Sequence, residues 1–310
     1  KDMGYLTIDG ATLIVLDGQH RYLALEKVIN HEVQGDFSME VPTDDVSVIF
    51  IKYESKEKTR RIFNKINKYA KSTSRGDNII TNEDNPISII ARRFMQDGEP
   101  FGISYRNEKG KLETIINWKN NTLSARSTQF TTISTIHDTV KMVLSYKDIE
   151  FNEHFRPDES DLDYMYQVVK EYWEAALEHI DVYAKAIDDH KLFPSLRDPD
   201  SEWSLLFKPA AQLALFKAIL EAEKSGAPLK ESLRKVNKIN WSMTNPIWRD
   251  IIVRSSGTID PKQEAQNKFA QLITYLIAAS YLSKTEIAAA KRMYNIARGT
   301  TEDELPEPIE

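Results

Sequence analysis

The chain contains no cysteine among its 310 residues, which excludes disulfides, thiolate metal sites and any chemistry run through a sulfur nucleophile. That absence agrees with a reducing, cytoplasmic setting. Long apolar runs are missing too. No stretch approaches the about 20 apolar residues that a membrane-spanning helix needs, and nothing at the start has the pattern of a signal peptide. No membrane partner is therefore expected. The six histidines (His20, His31, His137, His154, His179, His190) form no H-x-x-x-H pair, so no metal site is expected from them. There is no G-x-x-x-x-G-K-[ST] loop, no G-x-S-x-G elbow and no internal repeat.

What is present is an ordinary soluble composition, 41% hydrophobic and 28% charged, long enough for one large core or two domains. The net charge of −6 argues against a protein that coats nucleic acid over its whole surface. The charge is unevenly spread. Between Lys56 and Arg75 stand eight basic residues against the single acid Glu57, a local +7 that leaves −13 on the rest of the chain. Phosphates are the natural complement of such an island.

The most informative segment is Asp17-Gly18-Gln19-His20-Arg21. The short β-branched run at 11–16 precedes it, and apolar positions at helical spacing follow over 21–29, which predicts a strand-to-helix corner. At such a corner the first backbone N–H groups lack intrahelical partners and the helix dipole favours an anion. Gly18 removes a side chain that would block approach, and Arg21 brings a planar, permanently charged fork. The residues predict a phosphate site. The alternative is a tight turn in which Asp17 caps the helix and Arg21 pairs with a local carboxylate.

Those five residues spell the signature of DGQHR-domain proteins, and the chain resembles their DndB family, associated with DNA phosphorothioation. More widely it resembles the ParB/sulfiredoxin superfamily, which carries G-x-x-R at the same junction, here Gly18 and Arg21. Gly18-x-His20-Arg21-Tyr22-x-Ala24 is similar to the sulfiredoxin pattern, with Gln19 where that family has its reactive cysteine, so thiol-based reductase chemistry is excluded. The resemblance implies a nucleotide phosphate site at Gly18, Gln19, His20 and Arg21. It also implies that any hydrolysis of a nucleoside triphosphate with Mg²⁺ is non-Walker, slow and regulatory. Asp17 and His20 are the catalytic candidates, and Asp17 or Asp77 would hold the metal or orient the water.

A second block, from Phe63 to Lys71, resembles the F-x-x-I-N-x-x-A-K segment of DGQHR proteins. Asn64 and Asn67 share one helix side and can recognise a base or phosphate, while Lys68 and Lys71 supply charge. In a ParB-like fold the two segments approach and make one pocket edged by Arg21, Lys68 and Arg75. Arg61, Lys65, Lys68 and Lys71 are the candidate DNA contacts. Arg92, Arg93 and Arg126 are further basic residues, read as surface charge.

The fold this implies is α+β. A ParB/sulfiredoxin-like α/β domain would cover 1–83, with strands at 5–8, 12–16 and 46–53, a helix at 56–69, and earlier strands outside this chain. A mainly helical domain would cover 84–299, with a small hairpin near 103–116. Its helices are expected at 87–96, 134–146, 161–187, 209–224 and 228–239. The last two span 260–282, with Gln263 in a capping box, and 283–299, opened by a Ser283–Glu286 box and closed by Gly299. The acidic tail 300–310 would be flexible. Trp173, Trp203, Trp241 and Trp248 are expected as core or interface anchors.

The leading functional expectation is a cytoplasmic DGQHR protein that binds a nucleotide at the corner and regulates or assists DNA phosphorothioation or a related modification. One alternative is a non-enzymatic DNA-binding transcriptional regulator of the modification genes. Another is a helical scaffold for modification enzymes or for a second copy of the chain.

Overall fold

The computed structural model describes residues 6–36, 38–56, 58–59, 62, 74–107, 109–301 and 304–310. The chain divides into two compact units, residues 1–72 and 73–310. In the first, helix α1 (Gln19–Ile29) starts from Gly18, whose φ of 81° lies in the left-handed region that glycine enters without steric cost. The helix closes on His31, which also has a positive φ of 58°. The His31 N–H donates to the Val28 carbonyl at 3.0 Å and the Glu32 N–H to that of Lys27 at 2.8 Å, the paired bonds of a helix ended by a left-handed residue.

The strands expected at 5–8, 12–16 and 46–53 do not form. Their described residues join no ladder, and Leu13, Ile14, Val48 and Ile49 are exposed. β-branched composition favours a strand only where a neighbour supplies ladder bonds and a face to pack against. The basic helix does begin where expected. Ser55 accepts from the Lys58 N–H through its hydroxyl and from the Thr59 N–H through its carbonyl, both at 3.1 Å, and Lys56, Lys58, Thr59 and Ile62 are helical. The other residues of the expected 56–69 helix lie outside the described residues.

The second unit is helical with two small sheets, so the architecture is helix-rich α+β. Its helices are α2 (Arg75–Thr81), α3 (Pro86–Arg93), α4 (Ile133–Tyr146), α5 (Glu159–His179), α6 (Asp181–Asp188), α7 (Phe193–Leu196), α8 (Pro209–Lys224), α9 (Leu229–Val236), α10 (Gln263–Ala278) and α11 (Lys284–Arg298). Strands β1 (Ser104–Arg106) and β2 (Leu112–Thr114) form the expected antiparallel hairpin, with Tyr105 opposite Glu113. Strands β3 (Ile116–Asn117) and β4 (Thr131–Thr132) pair in parallel.

Local chemistry sets most of these boundaries. Asn85 accepts from the Ser88 N–H at 3.0 Å, with Pro86 in the first position of α3. Ser283 and Glu286 form the reciprocal box of α11, and Gly299 ends it with a φ of 68°. The box expected at Gln263 is absent: Asp260 turns its carboxylate to the Lys262 N–H at 3.1 Å and to Arg254 at 2.9 Å, and α10 starts later without a side-chain cap. The single helix expected over 161–187 is broken at Ile180. There Asn237 accepts from the Asp181 N–H at 2.9 Å and donates to the His179 carbonyl at 2.7 Å, satisfying both ends of the break.

The boundary between the units falls before α2 rather than near residue 83, because α2 packs on α3 and α4. Ile79 is buried there, and a Cβ on Gly76 would lie 1.8 Å from the Trp118 carbonyl oxygen. In the interior, α8 runs against α10, and α4 packs on α8. Trp173, Trp241 and Trp248 are fully buried and Trp203 is partly buried against the same core. Trp241 and Trp248 stack with ring centroids 5.5 Å apart, and Phe269 meets both edge-on.

Among the described residues one charge lies inside this core. Arg197, fully buried, donates Nε to the Phe207 carbonyl at 3.0 Å, Nη1 to Ser127 at 2.5 Å, and Nη2 to the Gln129 and Phe130 carbonyls. Burial pushes its pKa down to about 10. The end of the chain, expected to be flexible, packs instead. Leu305 and Ile309 lie against the core, and the Ile309 N–H donates to the Leu276 carbonyl at 2.8 Å. Pro306 and Pro308 lower the entropy lost in fixing that segment. Among the described residues no helix is long and apolar enough to cross a membrane.

Candidate anion site at the start of helix α1

The first intrahelical bond of α1 runs from the Tyr22 N–H to the Gly18 carbonyl at 2.9 Å. The N–H groups of Gln19, His20 and Arg21 precede it, and no described group accepts from them. Gly18 has no side chain to cap them, and Asp17 does not take that role. The dipole of α1 therefore presents its positive end with three unused donors.

Arg21 completes the corner. A Cβ placed on Gly18 would lie 3.3 Å from Nη2 and 3.5 Å from Nε of Arg21, so the guanidinium is folded back over the glycine, in the direction helical side chains lean. Asp17, His20 and Arg21 are exposed. Among the described residues no carboxylate pairs with Arg21. The turn in which Asp17 caps and Arg21 is held by a neighbouring acid is thus not what forms. The Gln19 side chain serves the backbone instead, for its amide donates to the Leu16 carbonyl at 2.9 Å and fastens the preceding segment to the helix. The corner fits a phosphate, through free N–H groups, a cation and a bare glycine. For Mg²⁺ it offers only the Asp17 carboxylate, and among the described residues no three His, Asp or Glu side chains converge on a metal position.

Arg61, Asn64, Lys65, Asn67, Lys68 and Lys71 lie outside the described residues. Arg75 belongs to the second unit, where both of its terminal nitrogens are engaged by Asp138. Asp77 completes the capping box of α2: its N–H donates to the Ser74 hydroxyl at 3.0 Å and its carboxylate accepts from the Ser74 N–H at 3.2 Å. Arg92 donates to the Ile79 carbonyl at 2.7 Å and meets Glu83 at 2.9 Å, while Arg93 is held by Glu159 and Asp163. Arg126 differs from these, with no partner among the described residues. The residue that sequence reasoning missed is Arg197: Arg-Asp-Pro-Asp reads as a solvated charge run, and nothing local announces that its first member is buried.

A family model described as DndB, DNA-sulfur modification-associated, matches residues 1–280. No curated protein and no solved structure matched the chain.

Proposed function

Because the chain belongs to the DndB family of DNA-sulfur modification-associated proteins, we propose that it regulates or assists that modification by binding a nucleotide phosphate at the start of α1. The observation that carries this reading is the Arg21 guanidinium lying over Gly18 beside three unused backbone donors. In it, the Gln19, His20 and Arg21 N–H groups and the Arg21 fork take the phosphate oxygens, and His20 adds a side-chain donor. The ParB/sulfiredoxin-like character of this unit is part of the same proposal and rests on the Gly18 and Arg21 pattern, not on a sheet. Binding alone is derived from this geometry, without a hydrolytic step.

Calorimetric titration with ATP, GTP and CTP in the presence of Mg²⁺ tests the reading. Arg21→Ala is expected to abolish binding, and unchanged affinity in that variant rejects the assignment. The competing reading, duplex DNA gripped by the segment from Lys56 to Arg75, is weakened by two observed pairs. Lys58 is neutralised by Glu54 and Arg75 by Asp138. It predicts an affinity that falls steeply with salt, about one log unit per log unit of salt for each phosphate neutralised.

A further inference from the structure

The second unit holds a polar cleft of its own, about 490 Å³ in volume, between β2 and the loop over 117–129. Its size lies in the range of small-molecule sites, but its lining is unlike an apolar pocket. Leu123 is the one apolar lining residue and no aromatic ring takes part, so a base or other flat apolar group has nothing to stack on. Asn120, Thr122, Ser124 and Arg126 line the cleft, and their side chains make no hydrogen bond to any described residue. These four side chains are exposed to solvent at the cleft, where a ligand can engage them without first breaking a bond within the protein.

Two further features set the charges around the cleft. Ser127, Thr128 and Gln129 form part of its wall, and the buried Arg197 guanidinium sits directly behind that backbone, bonded to the Ser127 and Gln129 carbonyls. Carbonyl dipoles hold this cation, but no carboxylate lies within ion-pairing distance of it among the described residues. A buried cation without a counter-ion projects its field further than a solvated one. Beside Thr128 in the lining stands Glu113, held by Asn107 at 2.8 Å and by the Tyr105 hydroxyl that also meets Thr128, an acceptor suited to a hydroxyl.

We propose that this cleft binds a sugar phosphate, with Arg126 and the Thr122 and Ser124 hydroxyls on the phosphate and Glu113 on a sugar hydroxyl. The same chemistry is offered by a free nucleotide and by the end of a DNA strand. The site is independent of the α1 corner and does not rest on the reading given for it.

Calorimetric titration of the full chain at about 1 mM probe distinguishes these cases, using ribose 5-phosphate, dAMP and a short oligonucleotide with a 5′-phosphate. Binding of ribose 5-phosphate or dAMP that weakens about tenfold or more in Arg126→Ala and is unchanged in Arg21→Ala supports the proposal with a free ligand. Binding of the oligonucleotide alone, with the same dependence on Arg126, supports it with a strand end. Glu113→Gln is expected to narrow the preference for ribose 5-phosphate over inorganic phosphate. Absence of binding by all three probes overturns the proposal. So does binding that Arg126→Ala leaves intact, and loss in Arg21→Ala alone would assign that binding to the corner instead.

Discussion

Arg75 holds Asp138 through both guanidinium nitrogens, with Nη1 at 3.0 Å from Oδ2 and Nη2 on Oδ1. This joins the first turn of α2 to α4, and His137 approaches the same carboxylate at 3.6 Å. Burial by itself raises the Asp138 pKa, but the hydrogen bonds and charge of the Arg75 guanidinium, with His137 close by, outweigh it and hold the carboxyl below its ordinary value. A carboxyl depressed on folding stabilises the protein above its unfolded pKa, near 4, and loses that contribution as pH falls toward and through the folded value. Unfolding in urea from pH 7 to pH 2 should therefore show stability declining below about pH 4. Asp138→Asn should flatten that decline and cost about 0.5–1 kcal/mol at pH 7, a modest value because Arg75 is half-exposed.

Gly76→Ala is a sharper test of the same joint. The added methyl would meet the Trp118 carbonyl at 1.8 Å, and a backbone oxygen cannot rotate aside. A loss of about 3 kcal/mol is expected, from displacing either α2 or the loop carrying Trp118. Alanine tolerated within about 0.5 kcal/mol in a denaturation series would show that the close approach is not present.

Replacing the buried arginine separates charge from geometry. Arg197→Lys keeps a cation but cannot reach the carbonyls of Phe207, Ser127 and Gln129 together. Both Arg197→Lys and Arg197→Met should cost about 3 kcal/mol or more, since either leaves buried carbonyls without donors. Thermal unfolding followed by circular dichroism measures this, and near-native stability in the lysine variant would contradict it.

Gly18→Ala addresses the α1 corner without removing a charge. A φ of 81° strains any residue with a Cβ, at a cost of about 1–2 kcal/mol. The methyl would also press on Arg21 at 3.3 Å. Nucleotide affinity should fall in this variant while Gln19→Ala, which loosens the contacts to the Leu16 and Val15 carbonyls, should have the smaller effect; equal losses would argue against an anion seated on the glycine.

His31→Gly is expected to stabilise α1 by about 1 kcal/mol, because the helix ends there on a left-handed residue that glycine adopts more readily. Slower amide exchange near the end of α1 would report it, and faster exchange would count against it.

What could be read from the sequence follows from the range of each interaction. Asn85 with Ser88, Ser283 with Glu286, and Gly299 act within one helical turn, so the starts and stops they set were legible. Gly18 was read as a glycine that clears the way for an anion, and its left-handed φ of 81° is a further local demand that the structure adds. The break at Ile180 was not, because Asn237 reaches it from beyond the end of α9. The runs at 12–16 and 46–53 have strand composition, but a strand depends on its neighbour, and in their described residues that neighbour is absent. The proposed phosphate site rests on a pattern at Gly18 and Arg21 that the sequence displays. Asp138 claims Arg75 through tertiary packing, and no spacing rule announces that.

The carbonyl cradle around Arg197 also governs how the protein opens. Residues 127–130 cannot lift away without abandoning a buried guanidinium that has no carboxylate partner among the described residues, so this wall does not fray as a surface loop does. Its departure is coupled to the departure of α7 and of the Phe207 turn, which makes this stretch of irregular chain as cooperative as the helices beside it.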